Sequence, residues 1–201
     1  HFSLRAIAPI SVASFSASAF GEYFFGNAPV LFDLTQRVPP LNEILPILIL
    51  LGPIFAIITV SFMYALRTTN RFAARHERYK IFLPFIAALI CGSVGVFLPE
   101  ILGLGIGPIN DLIAGNISFT KVSMLLIAKI SMTALCIGFG LFGGIFSPAL
   151  FIGVSAGSLA AGFFAAIGYT DLTQVIIISG MAAVAAAVIG APITSVLVVI
   201  E

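Results

Sequence analysis

A chain of 201 residues that is 60% hydrophobic and only 8% charged is not an ordinary soluble domain, since soluble domains have about 25% charged residues. The formal net charge of +1 leaves no broad basic face for nucleic acid. The mean hydropathy of +1.20 predicts an integral membrane protein. Because both ends look cut, at His1 and Glu201, we expect 1–201 to be one transmembrane domain fragment.

Apolar runs alternate with polar breaks and predict an all-α, polytopic membrane protein with about eight helical segments of unequal length. Gly (19) and Pro (11) residues fall within or between these runs, which is typical of broken and re-entrant helices in transporters. Several runs are shorter than the roughly 20 residues of a straight crossing. The predicted segments are 3–25, 44–66, 81–98, 102–115, 119–138, 145–168, 172–187 and 193–201.

The second segment, 44–66, contains Pro53, where we expect a kink. A dense basic cluster follows, and the positive-inside rule predicts that a loop at 67–80 is cytoplasmic. Binding of anionic lipid head groups is an alternative that is compatible with this placement. The basic residues are Arg67, Arg71, Arg75, Arg78 and Lys80.

Two features of the later segments concern helix packing. Lys129 lies near the middle of 119–138, and a lysine at that depth is expected to face protein or water rather than lipid. In the next segment small residues recur at every fourth position, which predicts close contact with another helix. These residues are Gly153, Gly157, Ala161 and Ala165.

Residues 138–150 read GFGLFGGIFSPAL, a glycine-rich break that leads into an apolar helix. Gly143 and Gly144 permit unusual backbone conformations. Ser147 is predicted to be the N-cap, with Pro148 at the first helical position. Free N–H groups at such a helix start favour an anion such as chloride. The break could equally serve only to turn the chain, which is the favoured interpretation of the breaks at 105–108 and 190–192.

The residue pattern does not support an enzyme. The two histidines and the scattered acidic residues form no HExxH motif, and we find no nucleophile elbow and no P-loop. We therefore expect no catalytic residues, no metal site and no cofactor.

The motif GGIFSP at 143–148 resembles a signature of the CLC family, which comprises voltage-gated chloride channels and proton-coupled chloride antiporters. The likeness extends backwards over 98–116 and forwards through Gly180-Met181 and Gly190-Ala-Pro192 to the end of the chain. The resemblance implies roughly the second half of an inverted-repeat CLC membrane domain, truncated at both ends. Ser147 stands where several members of the family have alanine.

By this resemblance the backbone amides of Ile145 and Phe146 would bind the anion, and Gly143, Gly144, Ser147 and Pro148 would support them. Chloride would cross the cell (inner) membrane through a channel or by exchange for protons. A homodimer would form through helices near 3–25 and 182–201. The gating glutamate and the remaining anion ligands of the family would lie outside 1–201.

Two other functions stay open on the residues alone. The chain could belong to a transporter of another anion such as fluoride. It could also be a non-transporting membrane scaffold subunit, in which the glycines serve packing only.

Overall fold

The computed structural model describes residues 12, 13, 15–17, 19–21, 23, 24, 40–115, 117–169 and 172–190. The chain divides into two compact units, His1–Asp33 and Leu34–Glu201. In the first unit the described residues are helical, and large apolar side chains such as Phe15 and Tyr23 are exposed. The predicted segment 3–25 is thus described only in part. The predicted segment 193–201 lies outside the described residues.

The described part of the second unit is built from helices and contains no strand, which confirms the all-α prediction. Short 3₁₀ helices, Glu77–Tyr79 and Pro99–Ile101, flank the second α-helix. The α-helices are α1 (Leu41–Arg75), α2 (Leu83–Phe97), α3 (Ile106–Ile113), α4 (Phe119–Gly138), α5 (Phe146–Ala166) and α6 (Thr173–Ile189).

Three helices are long and apolar enough to cross a membrane, over Ile44–Arg75, Phe119–Gly138 and Phe146–Ala166. The apolar helices α2 and α6 are shorter, with 15 and 17 residues. The eight residues of α3 reach only about 12 Å at about 1.5 Å per residue. The predicted mixture of spanning and short helices is therefore present among the described residues.

The prediction that the second span ends at residue 66 is wrong, because α1 continues without interruption to Arg75. Arg67, Arg71 and Arg75 therefore lie on the last turns of a 35-residue helix rather than in a loop. Their spacing of four residues places them on one side of the helix, where all three are exposed. The loop proper is confined to the residues around the 3₁₀ helix Glu77–Tyr79.

The closest helix contact in the described residues joins α5 to α6. A Cβ atom added to Gly153 would lie 2.6 Å from the Gly180 carbonyl oxygen, and one added to Gly157 would lie 2.6 Å from Ile177 Cα. Only glycine allows two backbones to approach this closely. Gly153, Gly157 and Ala161 are buried and Ala165 is half-buried, so the predicted stripe of small residues is confirmed as a packing surface.

The C-terminal ends of α1 and α4 lie side by side. The Thr69 hydroxyl donates a hydrogen bond of 2.7 Å to the Ala134 carbonyl, and Gly138 packs against Thr69. Seven residues, 139–145, separate the end of α4 at Gly138 from the start of α5 at Phe146.

Candidate functional site

The break between α4 and α5 begins with a Schellman motif at the end of α4. Gly140 has a φ of 93°, a conformation that favours glycine. Its N–H donates to the Ile137 carbonyl, and the N–H of Leu141 donates to the Cys136 carbonyl over 2.9 Å. This geometry corrects the sequence interpretation, because the left-handed residue is Gly140, whereas Gly143 and Gly144 have no positive φ.

Helix α5 begins at Phe146, with Ile145 as its N-cap residue. The prediction that Ser147 is the cap and Pro148 the first helical residue is therefore wrong. No side chain caps the helix, and the first backbone bond at this end runs from the Ala149 N–H to the Ile145 carbonyl over 3.0 Å. The earlier N–H groups of a helix have no partner within it.

The Ile145 and Phe146 N–H groups donate no hydrogen bond to any described residue. Both residues are partly exposed, with relative accessibilities of 37% and 38%. They lie at the positive end of a 21-residue apolar helix. Chemically, this helix start can donate hydrogen bonds to an anion that approaches from the exposed side.

Gly143 and Gly144 leave that approach open. A Cβ atom added to Gly144 would meet nothing within 4 Å, and one added to Gly143 would only reach Ile137 at 3.9 Å. Within the described residues, packing therefore does not require glycine at either position. What the two glycines do is leave the backbone before α5 uncovered by side chains.

The Ser147 hydroxyl has a structural partner, since it donates a hydrogen bond of 2.8 Å to the Leu104 carbonyl. A hydroxyl has a single hydrogen to donate, and here it points to the turn that precedes α3. Ser147 thus ties the start of α5 to that turn. Pro148 follows it inside the first helical turn, where its missing N–H removes no hydrogen bond of the helix.

Lys129 is 3% exposed, which confirms that it faces protein. Its ammonium donates hydrogen bonds to the carbonyls of Ile101, at 2.7 Å, and Gly103, at 3.2 Å. The same Nζ lies 4.8 Å from the centroid of the Phe151 ring, within the range of a cation–π interaction. In the described residues it has no acidic partner, so its charge is compensated only by these dipoles and by the ring.

Phe151 connects this lysine to the turn before α3. The ring is fully buried, and a Cβ atom added to Gly105 would lie 2.7 Å from Phe151 Cδ2. Gly105 also has a φ of 74° as the N-cap of α3, so it turns the chain there as expected. Lys129 and Ser147 therefore hold the same turn, 101–105, from two different helices.

Sequence reasoning identified Lys129 and Ser147 but not their partners. The acceptors are carbonyls of Ile101, Gly103 and Leu104, and a backbone carbonyl has no signature in a sequence. Phe151 was missed because one phenylalanine in an apolar run carries no distinguishing signal. The structure brings Ile145, Phe146 and Ser147 together at one helix start.

The sequence model of the voltage-gated chloride channel family matches residues 1–201. Similar proteins include the H(+)/Cl(−) exchange transporters ClcA of Vibrio campbellii and Vibrio vulnificus, each 32% identical, with all of this chain and 44% of the relative aligned. ClcA of Salmonella agona is 30% identical, with all of this chain and 43% of the relative aligned. The chain thus spans a little under half the length of these relatives. With a family match over its whole length, this chain belongs to the voltage-gated chloride channel (CLC) family.

Proposed function

We propose that this chain forms part of a pathway for chloride through a membrane, and that the Ile145 and Phe146 amides bind the ion. The observation that supports this most directly is the start of α5, where these two N–H groups lack any described acceptor. The relatives are named as H(+)/Cl(−) exchange transporters. We therefore extend the proposal to exchange of chloride for protons rather than passive flow through a channel.

Backbone amides suit a transported anion for a physical reason. They replace hydration of the ion by hydrogen bonds without placing a full positive charge against it, so the ion can also leave. The buried cation Lys129 lies over the ring of Phe151, a residue of α5, and is bound to two carbonyls. In our proposal it contributes a positive potential to the site but does not contact the ion.

The amides of one helix start surround only one side of an ion. The proposal therefore includes further ligands and the proton-transferring carboxylates in segments outside 1–201. It also includes a homodimer formed through helices near 3–25 and 182–201, of which residues 191–201 lie outside the described residues. We place the protein in the cell (inner) membrane, with residues 67–80 on the cytoplasmic side.

The proposal is tested by replacing Phe146 with proline in the full-length protein. Proline removes the amide hydrogen and is accepted at the first position of a helix. A hydrogen bond to a charged group contributes about 1.5–3 kcal/mol, so chloride binding measured by calorimetry should weaken about 10- to 100-fold. Chloride efflux from liposomes should fall with it.

Phe146→Leu is the matched control, because it changes the side chain and keeps the amide, and it should bind chloride as the unmodified protein does. Replacing the Phe146 amide by an ester removes the N–H without the ring of proline and should reproduce the loss. Normal chloride binding in the ester variant would contradict the assignment of this amide. Proton coupling is tested separately, by whether an imposed pH gradient drives chloride uphill into the liposomes.

A further inference from the structure

We propose that a cavity at the shared end of α1 and α4 binds the phosphate head group of an anionic membrane lipid. The cavity has a volume of about 310 Å³ and lies between the end of α1, the start of α2 and the end of α4. Asn70 and Ala74 line it from α1, Lys80 from the turn before α2, Pro84 from the first turn of α2, and Phe139 from the end of α4. Its size is at the lower end for small-molecule sites, which fits a head group.

Lys80 is the one charged side chain that lines the cavity, and no described acidic side chain pairs with it. The ion pair found among the described residues joins Lys121 to Glu100, and Lys121 lies at the opposite end of α4. Arg71 and Arg75 do not line the cavity, but each directly follows a lining residue of α1, Asn70 and Ala74. The side chains of Lys80, Arg71 and Arg75 are exposed and have no acidic partner among the described side chains.

A phosphodiester matches this set of donors. It has one negative charge spread over oxygens that accept hydrogen bonds, and Lys80 offers an ammonium with three donors. The Asn70 amide lines the same cavity and makes no hydrogen bond with a described residue, so its N–H groups are available. Arg71 and Arg75 would add attraction at longer range.

The apolar surroundings distinguish a lipid from a soluble phosphate compound. Immediately after Lys80, the side chains of Ile81, Phe82 and Phe85 are 87%, 62% and 69% exposed. Tyr79, also exposed, precedes the lysine, and an aromatic residue beside a basic one is typical of the membrane interface. Within a few residues the surface changes from cationic to apolar, as the head group and the acyl chains of one lipid require.

The test uses the full-length protein, purified in detergent and stripped of lipid, with native mass spectrometry as the readout. We expect it to bind phosphatidylglycerol in preference to phosphatidylcholine, whose choline neutralises the phosphate. A basic residue near anionic lipid contributes about 1 kcal/mol, so Lys80→Gln should weaken phosphatidylglycerol binding about fivefold. Ala74→Phe, which fills the cavity without changing charge, should also weaken it.

Arg78→Gln is the matched control, because Arg78 is an exposed basic residue of the same loop that does not line the cavity. The affinity of Arg78→Gln for phosphatidylglycerol should stay within about twofold of that of the unmodified protein. Equal losses in Arg78→Gln and Lys80→Gln would overturn the proposal in favour of diffuse surface attraction. Equal binding of phosphatidylcholine, or displacement of the lipid by soluble glycerol phosphate at the same concentration, would overturn it as well. Melting temperatures in lipid-free detergent verify that each variant is folded.

Discussion

The Ser147 hydroxyl lies in a motif that suggests an anion ligand, but its hydrogen bond is a structural one. Its place in the GGIFSP motif beside the Ile145 and Phe146 amides suggests a hydroxyl directed at the anion. Instead, its hydrogen bond to the Leu104 carbonyl fixes the start of α5 against the turn before α3. In the proposed anion site, Ser147 would therefore position the amides rather than contact the ion.

We expect Ser147→Ala to have a small effect on transport. Loss of one hydrogen bond lowers the free energy of unfolding by about 0.5–1.5 kcal/mol, and the two amides keep their hydrogens. Chloride efflux from liposomes should stay within about threefold of the unmodified protein, because that loss acts on the fold rather than the ion. Complete loss of chloride binding in a variant with normal melting behaviour would show that the hydroxyl is a ligand.

Glu100 and Lys121 form an ion pair with 2.5 Å between Oε1 and Nζ. The Lys121 hydrogen bond holds the pKa of the Glu100 carboxyl below its ordinary value of 4.5. A carboxyl whose pKa is lower in the folded state stabilises the fold above its unfolded pKa, and this contribution disappears as the pH falls through the folded pKa. The pair connects the 3₁₀ helix Pro99–Ile101 to the first turn of α4.

We expect Lys121→Met to lower the melting temperature at pH 7 by a small amount, because partly exposed pairs contribute at most about 1 kcal/mol. The difference from the unmodified protein should begin to shrink as the pH falls below 4.5, and it should vanish once the pH has passed below the lower pKa of Glu100 in the folded protein. Thermal unfolding in detergent at several pH values measures this difference in melting temperature. A difference that is constant across these pH values would show that the lysine stabilises by packing alone.

At the scale of elements, α5 and α6 are joined by backbone contact. Gly157 faces Ile177, and an added Cβ would lie 2.6 Å from Ile177 Cα and 2.7 Å from its carbonyl oxygen. Gly162, on the same helix, would place a Cβ at an ordinary 3.6 Å from Phe119. The two glycines have the same helix propensity and differ in what surrounds them.

Gly157→Ala should therefore destabilise the protein by about 1–3 kcal/mol or more through overpacking. Gly162→Ala should be neutral or stabilise by up to about 1 kcal/mol, since alanine favours a helix. Unfolding by heat in detergent compares the two variants directly. Equal melting temperatures would contradict the close packing of α5 on α6.

The helices were predictable from the sequence because long apolar runs bounded by Gly, Pro and charged residues have few alternatives in a membrane. The end of α1 was not predicted correctly, because its arginines were assigned to a loop although their four-residue spacing fits a helix. That Ile145 and Phe146 bind an anion was expected from the family resemblance and stays a prediction. The exact start of α5 and the contacts of Lys129 depend on the turn at 101–105, which lies far away in the sequence.

At the scale of the whole molecule, the charges divide between the two ends of α4. Among the described residues, the exposed basic side chains from Arg67 to Lys80 lie near its C-terminal end, where α1 also ends, whereas the Glu100–Lys121 pair lies at its N-terminal end. Helix α1 reaches about 52 Å at about 1.5 Å per residue, longer than the roughly 30 Å of the hydrocarbon core. Its arginine-bearing turns can therefore extend beyond the hydrocarbon core, and in our proposal they do so on the cytoplasmic side.

This orientation predicts the side from which a cysteine can be labelled. In a background without Cys91 and Cys136, Arg78→Cys should react with a membrane-impermeant thiol reagent in inverted vesicles and not in intact cells. Ser118→Cys, at the other end of α4, should show the reverse. Labelling of Arg78→Cys from outside intact cells would place the basic residues on the opposite side of the membrane.

The backbone contact between α5 and α6 also limits how the protein can move. Helices whose main chains touch at Gly153 and Gly180 have no layer of side chains on which to slide or rotate past each other. Any rearrangement that displaces the Ile145 and Phe146 amides must consequently carry α6 along as part of the same rigid body. One joint of such a movement is the irregular backbone at 139–145, which precedes the pair.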